Sequence, residues 1–131
     1  MTAPVRIWLE VAHHAAFRIG GWAFVRSNSG AVSGSAGGQP RIDAERNALA
    51  GITAALAGLP EGASVELHSA SPLVLASSVQ RVGLVMRPVE ASAGSPSAFT
   101  AAWAEFALGR AKDRGAFSAP IPKSNLAKAG V

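Results

Sequence analysis

The chain has 131 residues, 49% of them hydrophobic, and its twelve Lys and Arg against eight Asp and Glu give a formal net charge of +4. This length and composition exclude global disorder and predict a single domain over residues 1–131. The absence of cysteine excludes a disulfide scaffold, a cysteine-ligated zinc site and thiol catalysis. No apolar run reaches the ~18 residues of a membrane span and no secretory signal is visible, so we expect no membrane partner and a cytoplasmic location.

Three strands are predicted first. Apolar residues alternate with other residues from Val5 to Ala12, as in a half-buried strand. Gly20 and Gly21 introduce a second strand, and an Asn-Ser-Gly turn leads into a third one that begins at Ala31. These segments predict an antiparallel meander.

The hydrophobic period then changes from that of a strand to that of a helix. Aliphatic side chains recur three or four residues apart until Pro60 and Gly62 end the pattern, at Leu49, Ile52, Leu56 and Leu59. A fourth strand is predicted from Ser64 to Ser69. Ser71 and Pro72 are a typical N-cap and first helical residue, so a second helix is predicted through residue 82.

A Gly-, Ser- and Pro-rich linker near residues 90–97 precedes a helix predicted from Ala98 to Lys112. Aromatic side chains at helical spacing indicate a core-facing stripe on this helix, at Phe99, Trp103 and Phe106, with a base-stacking platform as the alternative. A short edge strand and a closing turn of helix complete the chain, although two prolines weaken this last strand. The elements together predict a mixed α/β layer fold.

Two carboxylates stand out by their positions. Glu10 lies in the otherwise apolar first strand, shortly before the adjacent His13 and His14. Glu45 has the same helical spacing as the apolar stripe of the first helix, where an unpaired charge would be unfavourable. An acid in the first turn also interacts favourably with the helix dipole, so Glu45 has a structural explanation as well.

These features resemble the ribonuclease H family. In that family the first strand ends in a catalytic acid, a glycine-rich loop follows, and the first long helix opens with a second catalytic acid. Glu10, the Gly20–Gly21 pair and Glu45 take these places here. The resemblance implies a ribonuclease H-like, mixed five-stranded sheet flanked by helices, in which the fourth and fifth strands join the meander beside the first strand. It also implies metal-dependent cleavage, with Mg²⁺ or Mn²⁺, of the RNA strand in RNA–DNA hybrids.

Two of the family's four acids are missing from this chain. Ala70 stands where the fourth strand of the family leads into an aspartate, and Ser124 or Asn125 stands where an acid opens its final helix. Two-metal hydrolysis needs several oxygen ligands around two cations about 4 Å apart, and two carboxylates leave such a site under-coordinated. We therefore expect a catalytically impaired or inactive domain, with an active nuclease that uses atypical ligands as the alternative.

Histidine would be the atypical ligand in that alternative. A metal set of Glu10, Glu45 and His68 would suit Mn²⁺ or Zn²⁺ better than Mg²⁺. In the simpler interpretation, His68 is a partly buried side chain with a local partner, and His13 and His14 are solvated loop residues.

Nucleic-acid binding is expected to survive the loss of catalysis and to require no cofactor. The family contacts RNA–DNA hybrids through the loop after the first strand and the start of the first long helix; the matching residues here are His13, His14, Arg18, Arg41 and Asn47. Arg110, Lys112 and Arg114 would extend this surface over phosphates, although cations at a helix C-terminus also complement its dipole.

The net positive charge favours such a polyanionic partner, but it can also serve solubility alone. A protein-interaction or homodimerisation module on the same fold is the remaining alternative, and its binding would lack the steep salt dependence of phosphate contacts.

Overall fold

The computed structural model describes residues 3–78 and 83–131. Its strands are β1 (Val5–His14), β2 (Ile19–Asn28), β3 (Ala31–Pro40), β4 (Ser64–Ser69), β5 (Val85–Glu90) and β6 (Phe117–Pro120). Its helices are α1 (Ala44–Leu56), α2 (Pro72–Ser78), α3 (Ser97–Arg114) and α4 (Lys123–Leu126). None of the helices within the described ranges is long and apolar enough to cross a membrane.

The strands form one mixed sheet in the order β5-β4-β1-β2-β3-β6. The antiparallel meander β1-β2-β3 is confirmed, and β4 lies parallel beside β1 with the predicted bounds. The predicted C-terminal edge strand and closing turn of helix are confirmed as β6 and α4, but β6 pairs with β3. The strand beside β4 is Val85–Glu90, which was not predicted, so the sheet has six strands where five were expected. Pro88 argues against a strand at this place in the sequence. A proline is tolerated there because β5 is an edge strand.

Helix α1 packs against one face of the sheet, over Leu9, Trp22 and Phe24. Its buried residues are Asn47, Ala48, Gly51, Ile52 and Ala55. The predicted stripe was therefore rotated from the true one: Leu49 is 41% exposed and Glu45 is exposed. Small side chains decide which face is buried, because a Cβ on Gly51 would lie only 3.0 Å from Trp22 Cβ.

Helix α3 packs against the opposite face, over Ala23 and Val25. Its buried residues are also small: Ser97, Thr100, Ala104, Ala107 and Ala111. The helix lies almost directly on the strand backbone, since a Cβ on Gly21 would be 2.5 Å from the carbonyl oxygen of Ala104. The prediction of an aromatic core stripe on this helix is confirmed in part: Phe99 and Trp103 are partly buried and pack against the core cluster beneath α3, whereas Phe106 is 56% exposed.

The predicted start of α2 is confirmed. The backbone N–H of Val74 donates to the Ser71 side-chain oxygen at 3.3 Å, as expected of an N-cap. The predicted continuation of this helix through residues 79–82 lies outside the described residues.

Candidate functional site

Glu10, in the middle of β1, is the centre of a buried hydrogen-bond network at the C-terminal end of β4. The residue is 4% exposed. Its Oε1 accepts from the Ser69 hydroxyl at 3.1 Å and from the Ala70 N–H at 3.1 Å. Its Oε2 accepts from the same N–H at 3.0 Å and from the Ser97 hydroxyl at 2.5 Å. One carboxylate thus joins β1, the end of β4 and the first residue of α3.

This arrangement does not fit a pair of catalytic metal ions. A metal-binding carboxylate directs free lone pairs at the cation, whereas three protein donors approach the two oxygens of Glu10. Ala70, which was matched to the family's aspartate, donates its backbone N–H to Glu10. A metal ligand at this position would instead supply an oxygen lone pair. The Ser69 oxygen is engaged further, since it accepts from the N–H of Ser71 at 3.1 Å. The residues present satisfy the carboxylate without a metal.

Ser97 was missed in the sequence, where Ser124 and Asn125 were matched to the family's last acid. The structure places Ser124 and Asn125 in α4, which contacts β3. The helix whose first residue contacts Glu10 is α3, through Ser97. Ser97 and Glu10 are 87 positions apart in the chain, and no local pattern connects them.

Glu45 occupies the first-turn position of its structural explanation, whereas Asn47 is buried. Glu45 is exposed in the first turn of α1, after the N-cap Asp43. Asn47 is 1% exposed, and its side-chain NH₂ donates to the carbonyl oxygens of Ala12 and Gly21, both at 3.1 Å. Asn47 therefore fastens α1 to β1 and β2, and its prediction as a nucleic-acid contact is wrong because the side chain is inaccessible.

His68 is held by local partners. Its ring stacks on Trp8 with the centroids 5.0 Å apart, and its Nε2 lies 3.4 Å from a Glu66 carboxylate oxygen. Arg87 donates to the other oxygen of Glu66 at 3.0 Å. Across residues 3–78 and 83–131 no group of three or more His, Asp or Glu side chains could hold a metal ion, so Glu10, Glu45 and His68 are not brought together.

The two adjacent histidines are the last residues of β1 and not loop residues. His13 pairs with Gly20, and His14 pairs with Ile19 of β2. His13 Nε2 donates to the carbonyl oxygen of Ile42 at 2.8 Å, since that oxygen can only accept. The Ile42 N–H donates in turn to the Arg18 carbonyl at 2.9 Å. The β1–β2 turn is thereby fastened to the segment that begins α1.

Exposed cationic and aromatic side chains gather around this junction. We call them the hairpin-end surface: His14, Phe17, Arg18, Arg41 and Lys112. Phe17 is 60% exposed, stacks on His14 at 4.8 Å, and has the Lys112 ammonium 5.0 Å from its ring centroid. Phe17 was also missed in the sequence, although an aromatic residue at a hairpin turn, where polar residues are usual, was a signal.

The three C-terminal cations of α3 do not form one patch. Lys112 belongs to the hairpin-end surface, whereas Arg110 lies over the ring of Phe117 at 4.5 Å, beside β6. Helix α3 begins at Ser97, which contacts Glu10, and is about 27 Å long at 1.5 Å per residue. Asp113, near its other end, is about 24 Å of helix away from Ser97 and therefore does not supply Glu10 with a second acid.

Comparison with known proteins supports the fold. No protein-family model and no curated protein sequence matches this chain. Among solved structures, the N-terminal RNase H domain of Rv2228c from Mycobacterium tuberculosis, determined as a fusion with maltose-binding protein, has a TM-score of 0.57 at 12% identity, covering 86% of this chain and 98% of that chain. The chain has a ribonuclease H-like fold.

RNase H1 from the halophilic archaeon Halobacterium salinarum NRC-1 is similar at 14% identity and a TM-score of 0.48, covering 85% of this chain and 98% of that chain. At these identities the similarity concerns the fold alone. What the ribonuclease H-like domain does must be argued from its own side chains.

Proposed function

We propose that this ribonuclease H-like domain binds RNA–DNA hybrid or another structured nucleic acid without cleaving it. The observation that carries the proposal is the state of Glu10, whose oxygens are occupied by donors from Ser69, Ala70 and Ser97. A hydrolytic site needs carboxylates free to hold cations, and this chain uses its buried carboxylate to hold its own elements together.

The hairpin-end surface supports the binding part of the proposal. Arg18, Arg41 and Lys112 are exposed there, at the end of the domain where the resemblance to ribonuclease H implies hybrid contacts. Guanidinium groups suit bidentate phosphate contacts, and amphipathic rings such as His14 suit sugar edges. These are the residues we assign to the duplex.

Backbone conformation adds a second argument for Arg18 and Arg41. Their φ angles are 52° and 57°, in the left-handed region that disfavours residues with a Cβ by about 1–2 kcal/mol. Glycine or asparagine would relieve this strain, yet arginine occupies both positions. Strain of this kind is concentrated at binding sites, where the side chain has a use that outweighs it.

Cleavage is tested with a labelled RNA–DNA hybrid incubated with the pure protein in Mg²⁺ and, separately, in Mn²⁺. We expect the hybrid to stay intact. Cleavage that disappears in both Glu10→Ala and Glu45→Ala would overturn the proposal and establish an active nuclease with atypical ligands.

Binding is tested by fluorescence anisotropy with hybrid, duplex DNA and duplex RNA over a range of salt concentrations. An Arg18→Ser/Arg41→Ser double variant should bind at least about tenfold more weakly, and the slope of log K against log salt should fall by about one for each lost phosphate contact. Arg87→Ala is the matched control, because Arg87 is a 72%-exposed cation on the far edge strand. No duplex binding, or binding that is independent of salt, would contradict the proposal and favour the protein-interaction alternative.

A further inference from the structure

Helix α3 carries aromatic side chains beside its buried face. The fully buried residues of the helix are small, and at their margin Trp103 is partly buried against the same core, whereas the neighbouring Phe106 is exposed. Phe106 is 56% exposed and meets Trp103 edge to face, with the ring centroids 5.4 Å apart. We call this the α3 aromatic face and define it by Trp103, Phe106, Arg110 and Arg114.

The positive charge of the protein is concentrated on the same side of the sheet. Residues 97–131 contain five Lys and Arg and two Asp and Glu, so they contribute +3 of the net charge of +4. All five cations are exposed. Two of them, Lys123 and Lys128, belong to the C-terminal segment that lies on the same side as α3. Leu126 and Ala129 of this segment pack in the same cluster as the buried alanines of α3. This side of the domain therefore favours a polyanion.

Two rings are followed by two guanidinium groups along the α3 aromatic face. One depression of about 250 Å³ is lined by Ala102, Trp103 and Phe106. A second of about 410 Å³ shares Phe106 and is lined further by Gly109, Arg110, Asp113 and Arg114. Stacking platforms beside cations are the features with which proteins bind single strands, because bases stack on the rings while phosphates meet the charges.

We propose that the α3 aromatic face binds single-stranded DNA or RNA, with bases stacked on Trp103 and Phe106 and phosphates at Arg110 and Arg114. Unpaired bases are required, since a base inside a duplex presents no free face to an aromatic ring. The inference rests on the proposed function only in that the ligand is nucleic acid. The hairpin-end surface includes Lys112 of α3, which contacts Phe17, but the two surfaces share no residue, so each can be tested by its own substitutions.

The test uses the whole chain with labelled oligo(dT) and oligo(U) of about 12 nucleotides, a length within the range that one domain binds. Phe106→Ala should weaken binding of both oligonucleotides about tenfold, as expected for the loss of one stacked base. Arg110→Ala should weaken binding and reduce its salt dependence. Leu49→Ala, at a 41%-exposed aliphatic residue on α1, and Arg87→Ala should leave both values unchanged.

Tryptophan fluorescence gives a second readout. Trp8 and Trp22 are each 7% exposed, whereas Trp103 is only partly buried. Quenching on addition of oligo(dT) should therefore come from Trp103 and be lost in Trp103→Phe, which keeps a ring for stacking.

The outcomes separate this inference from the proposed function. The inference alone would be overturned if the protein bound the hybrid but no single strand. It would also be overturned alone if the protein bound the hybrid and single strands but neither Phe106→Ala nor Arg110→Ala changed single-strand binding. Single-strand binding that depends on Phe106 together with no hybrid binding would support the inference and overturn the proposed function. Self-association abolished by Phe106→Ala, with no oligonucleotide bound, would show that the face serves a protein contact and would also overturn the inference.

Discussion

Replacing Glu10 tests whether its carboxylate stabilises the fold or serves to bind a metal ion. Glu10→Ala removes the acceptor of four hydrogen-bond contacts made by three donors. The N–H of Ala70 and the hydroxyls of Ser69 and Ser97 would face a cavity at a place where β1, β4 and α3 meet. The residue is 4% exposed, so water reaches the cavity poorly.

The size of the effect follows from these donors. A hydrogen bond to a charged group contributes about 1.5–3 kcal/mol net, and removing the charge itself recovers part of its desolvation. We expect Glu10→Ala to lower the free energy of unfolding by about 3–5 kcal/mol, a large part of the ~5–15 kcal/mol of a typical domain. At roughly 3–5 °C per kcal/mol for a chain of this size, Tm should fall by about 10–20 °C. Glu10→Gln should lose only about 1–2 kcal/mol, because the serine hydroxyls can turn to accept from the amide.

Thermal and urea unfolding followed by circular dichroism measure these changes. Glu45→Ala is the matched control, since Glu45 is exposed and should stay within about 0.5 kcal/mol of the parent protein. The reasoning would be refuted if Glu10→Ala were as stable as the parent or more stable while Mg²⁺ or Mn²⁺ raised the Tm of the parent. Such a result is the signature of an acid whose charge is compensated only by a bound cation.

Four further substitutions test the packing and the hairpin-end surface. Asn47→Ala should lower the free energy of unfolding by about 2–3 kcal/mol in urea, because two buried carbonyl groups lose their donor; an effect within experimental error would show that the side chain is not needed to hold α1. Gly21→Ala should lower Tm, because forcing α3 away from the sheet reduces the free energy of unfolding by about 1–3 kcal/mol. Gly109→Ala should instead raise the free energy of unfolding by about 1 kcal/mol through helix propensity, since its Cβ would meet nothing within 4 Å. Arg18→Gly should raise stability by about 0.5–1 kcal/mol while weakening hybrid binding, and unchanged anisotropy titrations would count against a role of Arg18 in binding.

Strand periodicity and turn residues were sufficient to predict the meander and β4, because both signals are local. The buried face of α1 was predicted wrongly for a physical reason. Aliphatic spacing identified Leu49, but the sheet approaches the helix so closely that only small residues such as Gly51 fit between them. Large apolar side chains then lie at the margins of the contact. The same reason explains why Phe106 of α3 is exposed.

The site was predictable only in part. The position of Glu10 follows from a carboxylate in an apolar strand, which is visible in a few residues of sequence. Its partner Ser97 depends on where α3 begins relative to the sheet, and that is a property of the whole fold. Lys112 and Phe17 likewise meet only because α3 crosses the end of the β1–β2 hairpin.

An acid at this position is not by itself evidence of nuclease activity. In this fold, β4 runs parallel to β1 and ends at Ser69, beside the middle of β1, so the backbone N–H that follows β4 and the start of α3 converge on Glu10 there. Such a place favours a carboxylate whether or not a metal is bound, because donors compensate its charge. Ser97 and the Ala70 N–H do so here. We expect the number of oxygen lone pairs that protein donors leave free, rather than the presence of the acid, to distinguish a ribonuclease H-like site that can hold catalytic metal ions from one that cannot.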